Sequence, residues 1–413
     1  MKILFMVTTF PALSQTFVLN QITGLIDQGC QVDILAMVKG RESKLHPEIL
    51  HYRLLENTFY YDQSLRPIPA KKITRLKEFV ILFFHHFLKK PTALLKSLNV
   101  FKLGMKAVTL NAFYTMISFI DKGPYDIVHC HFGPNGARGV YLREIGAVDG
   151  KIVTTFHGYD LTSYVRQSRR DVYRNVFKYG DLMMPISYKW RDKLIQMGCD
   201  KKKIVVHRMG IDTEKIKPNR IDRQDNRHLK VLSVGRFVEK KGFYFSIKAV
   251  AEAVAESEEI LYDIIGDGEL RQDHEKLIKD LGADDYIKIH GWKDSEEVIE
   301  YMKGADVLMA PSLTSQQGDQ EGIPVVIMEA MACGLAVIST KHSGIPELVK
   351  DGKSGLLVGE GDIEALKNSL IYFARHYEKI DAMGREGRNI AENEYDIRKL
   401  NFELYHSYKR LLG

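Results

Sequence analysis

KVLSVGRFVEKKG (230–242) is the stretch on which the architecture turns. The run KVLSVGRF (230–237) is apolar, and the cations and glycine after it stand at the mouth of a helical pattern, so it reads as a strand feeding a helix. LYDIIGD (261–267), YIKIHG (286–291), VLMAPS (307–312) and AVIST (336–340) follow as further strand candidates. Upstream stand KILFMVT (2–8), QVDILAMV (31–38), DIVHCHF (126–132), KIVTTFHG (151–158) and DLMMPIS (181–187). Helical patterns of about 10–15 residues separate most of them, which predicts βαβ units and parallel sheets buried on both faces. Because the pattern runs twice, the expected fold is α/β: two Rossmann-like, doubly wound parallel-sheet domains facing each other across a cleft, with ligands at the carboxyl ends of the strands. The first domain would occupy 1–212, with a helical insertion at 70–120. Polar, proline-containing TEKIKPNRIDRQDNRH (213–228) reads as a linker, 229–394 as the second domain, and 395–413 as a C-terminal helix crossing the junction.

Composition narrows the function. The 413 residues are 45% apolar and 27% charged, a globular balance. Net charge is 59 − 53 = +6, a lean toward phosphates or membrane surfaces that is too weak to indicate nucleic acid. Cys30, Cys130, Cys199 and Cys333 form no CxxC pair, so neither a disulfide framework nor a zinc module is expected, and a reducing compartment fits. The N-terminus reads as a strand rather than a signal peptide, and no apolar run reaches the ~18 residues of a spanning helix. A soluble, cytoplasmic protein is the expectation.

Two phosphate signatures fail on spacing. DGKSG (351–355) has Glu347 where a P-loop needs glycine, and GDGEL (266–270) puts Arg271 at the third glycine of a dinucleotide fingerprint. Another constellation remains. Arg236 and Lys241, after Gly235 and before a helix, suit a diphosphate, though they could equally be solvated surface cations. In APSLTSQQGDQEGIPVVIMEAMACG (310–334) a helix is expected to begin around Glu321–Pro324. Glu321 and Glu329, eight residues apart, would then lie on similar faces, one at the helix mouth and one deep in it. Gly322 would let the backbone approach a ligand closely. Glu329 needs partners, either the hydroxyls of a ribose or a neighbouring cation. With Arg236 and Lys241, the set suits a nucleoside-diphosphate sugar.

GR-x4-KG, the E-x7-E pair, GDGEL, HGW (290–292) and SGIPELVKDGKSGLLV (343–358) resemble the retaining glycosyltransferases of family four, which have the GT-B fold. TTFPALSQTFVLNQI and DGDQEGIPVVIMEAMACG are most similar to the branch that builds bacterial exopolysaccharides of the colanic-acid or amylovoran type. The resemblance implies that Arg236 and Lys241 hold the donor diphosphate and Glu329 the ribose, with Glu321 and the Gly322 and Ile323 amides on the transferred sugar and phosphate. Gly235, Gly266 and Gly268 would line the donor site. His157 in TFHGYD (155–160) would sit beside the reacting sugar. Where many relatives carry a Gly-Gly loop, this chain reads Pro11-Ala12-Leu13-Ser14-Gln15-Thr16, which places Ser14 and Gln15 on the sugar side. His129 and His131 share a strand face; as HxH they lack a third ligand at metal spacing, and His131 is expected to line the cleft. His85 and His86 read as interfacial or packed.

The resemblance also implies front-face transfer with retention, the leaving phosphate taking the acceptor's proton. No acidic pair for a divalent cation stands out, so metal independence is expected, with no cofactor beyond a UDP- or GDP-type donor. The alternatives are a sugar-nucleotide epimerase of the same architecture, for which only Asp160 stands in a first-domain loop, or a non-catalytic scaffold. The segment 70–106 carries nine Lys and Arg against Glu78 alone, around FVILFFHHFL (79–88). It is either a packed helical insertion or a surface for anionic membranes, and the exopolysaccharide resemblance implies a lipid-linked saccharide acceptor and a place on the inner face of the cell membrane.

Overall fold

The structure is a computed structural model that describes residues 1–12, 15–40, 45–169, 171–218, 228–256 and 259–413. Ile3 to Met6 show why the first strand forms. Four consecutive apolar side chains have no exposed surface, which a sheet covered on both faces accommodates. β1 (Lys2–Phe10), β2 (Gln31–Lys39), β3 (Thr58–Tyr60), β4 (Ile127–His131), β5 (Lys151–Phe156) and β6 (Leu182–Pro185) form one sheet in the order β3-β2-β1-β4-β5-β6. β7 (Leu229–Val234), β8 (Ile260–Ile265), β9 (Ile287–Ile289), β10 (Val307–Ala310), β11 (Ala336–Thr340) and β12 (Gly355–Val358) form the other, in the order β12-β11-β10-β7-β8-β9. All neighbours pair in parallel. Both sheets therefore follow one doubly wound plan, and each reverses direction beside its own first strand, where such folds open a crevice.

The edge strands β3 and β12 are absent from the sequence-based strand set. They are three and four residues long, too short for periodicity to mark.

The chain crosses between the domains twice, and the crossings are tied together. The Ile211 amide donates to the Tyr395 carbonyl and the Ile397 amide to the Ile211 carbonyl, both at 2.9 Å. Thr213 Oγ1 donates to Asp396 Oδ2 at 2.5 Å. Arg388 donates to the carbonyls of Thr213, Ile216 and Ala332, clamping the start of the linker onto the second domain. The linker's later part, 219–227, lies outside the described residues. Asp396 caps the last helix, Ile397–Leu412, by accepting from the Arg398 and Lys399 amides. That helix returns to the first domain, where Leu404 and Tyr408 join the core around β1 and β2.

Candidate functional site

The loops after β5 and β6 meet those after β10 and β11. A Cβ on Gly322 would lie 2.6 Å from the His157 carbonyl oxygen and 2.5 Å from Ile186 Cδ1. Only glycine admits this approach, so the contact between the domains by itself requires Gly322. Ser187, after β6, caps the helix Tyr188–Gln196. Glu347, from the second domain, accepts from the Tyr188 and Lys189 amides of that helix at 2.9 and 3.0 Å.

The helix expected to open around residues 321–324 runs Val325–Ala332, with Pro324 as its N-cap. Glu321 thus stands in the preceding loop, and the two glutamates do not share a helix. Proline's missing N–H and fixed φ make it a natural boundary here. The amides of Gly322 and Ile323 donate to no described residue, which leaves two donors open at the helix mouth. The Glu321 backbone is held from both ends. Its amide donates to His342 Nε2 at 3.1 Å, and its carbonyl accepts from Ser343 Oγ at 2.6 Å. His342 Nδ1 in turn lies 2.7 Å from Glu360 Oε1, which assigns the ring proton to Nδ1.

Around Glu321 gather the cations. Lys241 Nζ is 3.3 Å from its Oε2 and Lys240 Nζ 3.4 Å from its Oε1; Lys240 also pairs with Asp319 at 2.9 Å. Burial alone would raise the Glu321 carboxyl, but Lys241 and Lys240 outweigh it and hold the group below its usual range. Arg236 is exposed and has no ion-pair partner among the described residues. Glu329 is partly buried, forms no ion pair with a described residue, and is pushed up to about 7 by burial. The neighbouring-cation alternative for Glu329 therefore finds no cation among the described residues. The glycines of the neighbouring turns serve packing: a Cβ on Gly266 would lie 1.9 Å from the Gly235 carbonyl oxygen, and one on Gly268 would lie 2.8 Å from Phe237 backbone.

The histidines lie deeper than expected. His131 has no exposed surface and does not line the cleft, because β4 lies inside a sheet covered on both faces. It reaches the cleft only through His157, whose Nε2 is 3.0 Å from its Nδ1. The His157 ring packs against Phe17 and Phe132, and burial pushes it down to about 3, so it is a neutral imidazole. Both nitrogens of His129 are engaged, Nε2 with Thr155 Oγ1 at 2.7 Å and Nδ1 with Tyr408 Oη at 2.5 Å, which leaves none for a metal. Among the described residues no group of three or more His, Cys, Asp or Glu is placed to hold a metal ion. His86 is buried in the insertion and His85 exposed. Asp160 spends both carboxylate oxygens on backbone amides, Oδ2 on Gly133 and Oδ1 on His157 and Gly158. Gln15 precedes the helix Thr16–Asp27 without capping it through its side chain, and Ser14 lies outside the described residues.

Sequence reasoning missed Lys240, His342 and Glu360. Lys240 was visible beside Lys241, but choosing between adjacent lysines needs the turn geometry. His342 directly precedes SGIPEL, and Glu360 is brought to it only by the folding of β11 and β12.

Residues 92–215 match the family model described as Glycosyltransferase Family 4, and residues 214–390 match Glycosyl transferases group 1. The chain is 37% identical over 408 residues to the putative colanic acid biosynthesis glycosyltransferase WcaL of Escherichia coli K12, covering 98% of each. It is 37% identical over 401 residues to the amylovoran biosynthesis glycosyltransferase AmsK of Erwinia amylovora, covering 96% of each. Among solved structures, Anabaena HepE in complex with UDP and glucose superposes with a TM-score of 0.70 at 18% identity, covering 99% of this chain and 100% of that one.

Proposed function

The chain belongs to the family-4 glycosyltransferases, and from that premise we propose that it moves a sugar from a nucleoside-diphosphate donor to a saccharide acceptor in exopolysaccharide biosynthesis. The observation that carries the proposal is the charge arrangement at the cleft. Lys240 and Lys241 are bound to Glu321, while Arg236 is free of ion partners among the described residues and can meet a diphosphate. The two open amides of Gly322 and Ile323 add oriented donors on the same loop as Glu321. HepE, of like fold, holds UDP and glucose, which supports a nucleotide-sugar donor of UDP or GDP type. A relative from Escherichia coli, 28% identical over 310 residues, is named for galactosyl transfer to GlcNAc-diphosphoundecaprenol, which supports a lipid-linked acceptor.

In the proposed reaction the acceptor hydroxyl oxygen bonds to the anomeric carbon on the face the diphosphate leaves. The carbon–phosphate-oxygen bond breaks, and a phosphate oxygen takes the hydroxyl proton. Configuration is retained, and neither a protein base nor a metal is required. Arg236 and Lys241 stabilise the charge that grows on the leaving diphosphate, while Glu329 accepts from the ribose hydroxyls. His157, neutral and held by His131, approaches Gly322 through its backbone carbonyl and orients the sugar side. The epimerase alternative loses its one candidate acid, because Asp160 is occupied by amides.

Thermal melting against UDP, GDP, ADP and CMP tests the donor class, since a ligand bound only by the native state raises the midpoint by mass action. One nucleoside diphosphate is expected to stabilise the wild type, and Arg236→Ala to lose the shift. A chain that responds to none of the four, or an Arg236→Ala variant that responds as the wild type does, overturns the diphosphate assignment.

A further inference from the structure

Helix Lys72–Phe87 is apolar on two faces, and only one is covered. Phe79, Leu82 and Phe83 pack on the first-domain core beside Phe113. On the other side Ile73 is 73% exposed, Ile81 68%, Phe84 71% and the following Leu88 91%. The neighbouring short helices add a second prong that the sequence did not mark: Val100, Phe101 and Met105 are all exposed, Phe101 completely. Exposed apolar side chains gathered on a helix and rimmed by polar residues mark an interaction site.

The structure also sorts the cations of 70–106. Arg75 donates to the Pro69 and Thr109 carbonyls, Lys102 pairs with Glu144 at 3.3 Å, and Lys106 lies 4.2 Å from the Tyr141 ring. These three are turned onto the protein. Lys71, Lys72, Lys77, Lys89 and Lys96 are exposed with no ion-pair partner among the described residues. The one acid, Glu78, faces Arg66 at 3.9 Å.

We propose that this face docks in the plane of an anionic lipid bilayer, with the Ile81–Phe84 and Phe101–Met105 prongs in the acyl boundary and the free lysines at the headgroups. Anionic lipid matches both features at once. A second copy of the chain would bring like-charged lysines together, with no acid in the face to answer them. No helix of the described residues is long and apolar enough to cross a membrane, so the contact is in-plane. The inference agrees with the lipid-linked acceptor proposed above, but it rests on this surface and not on the cleft.

Sedimentation of the full chain with phosphatidylglycerol–phosphatidylcholine vesicles, against phosphatidylcholine alone, at low and high salt, tests it. The protein is expected to follow the anionic vesicles, less so at high salt. Ile81→Glu with Phe84→Glu, or Phe101→Glu with Met105→Glu, should lower binding at least ~10-fold, since each places charge in the apolar boundary. Reversing Lys71, Lys72, Lys77 and Lys89 to Glu should lower it by roughly fivefold or more per site at low salt. The nucleotide-induced melting shift, read on every variant, reports the cleft and the fold separately; should an apolar pair fail to fold, the exposed lysine set decides. Wild type that ignores anionic vesicles, or folded variants that bind as wild type does, overturns the proposal. So does light scattering that shows a dimer which the same substitutions dissolve while vesicles capture nothing.

Discussion

Burial acts on Glu321 and Glu329 in the same direction, and their neighbours decide different outcomes. Two lysines keep Glu321 ionised, whereas Glu329 has no such partner and sits at about 7. The folded protein therefore keeps a proton on Glu329 that the unfolded chain releases near 4.5. Its contribution to stability is present below the unfolded value and is lost as pH rises through the folded one. Glu329→Gln mimics the protonated form, so its stability relative to wild type should rise by roughly 1–3 kcal/mol between about pH 5 and about pH 8. Paired melting curves at the two pH values check this; a constant difference rejects it. Donor affinity should fall in the same variant, because an amide accepts less well from ribose hydroxyls. Lys241→Ala removes a cation from both Glu321 and the leaving diphosphate, and should cost kcat/KM ~2–4 kcal/mol. Steady-state kinetics within a few-fold of wild type would contradict that role. Residue types and spacing were enough to bring Lys241 and Glu321 to notice together, and the structure pairs these two. That Lys240 joins them, and that His131 withdraws from the cleft, depends on a turn and on the depth of a strand, neither of which spacing encodes.

At the scale of elements, the last helix, Ile397–Leu412, stabilises a domain hundreds of residues away in sequence. Tyr408 Oη shares a hydrogen bond with His129 Nδ1 inside the first-domain core, and Asn401 Nδ2 donates to the Asn20 carbonyl at 3.0 Å. Tyr408→Phe strands a fully buried imidazole nitrogen and should destabilise the first domain by about 1–3 kcal/mol. Amide exchange of β4 and β5 checks it: faster exchange there, with β7 and β8 unchanged, is the expected pattern, and uniform exchange contradicts it. The amphipathic period of this helix was legible, but its partner was not, because an apolar stripe states that a face is buried and not against what.

Across the whole molecule, Glu347 holds the two domains together by accepting from the first amides of the helix Tyr188–Gln196. A carboxylate at a helix N-terminus contributes about 0.5–2 kcal/mol, so Glu347→Ala should shift the balance toward an open cleft by that amount. The paired crossings at Ile211–Thr213 and Tyr395–Ile397 are the natural hinges. Small-angle scattering should show a larger radius of gyration for Glu347→Ala than for wild type without ligand, and saturating nucleotide should narrow the gap. Identical profiles would remove Glu347 from closure.

The two doubly wound sheets and the pairing of Lys241 with Glu321 could be read from the sequence. Continuous apolar strands alternating with amphipathic helices have few ways to bury themselves, and the glycines and cations sit at fixed offsets from strand ends. Tertiary structure alone decided that the helix after Pro324 excludes Glu321, that Gly322 answers to the His157 carbonyl, and which lysines of 70–106 are free. Each of these depends on distances between segments remote in sequence, and only the packed chain fixes them.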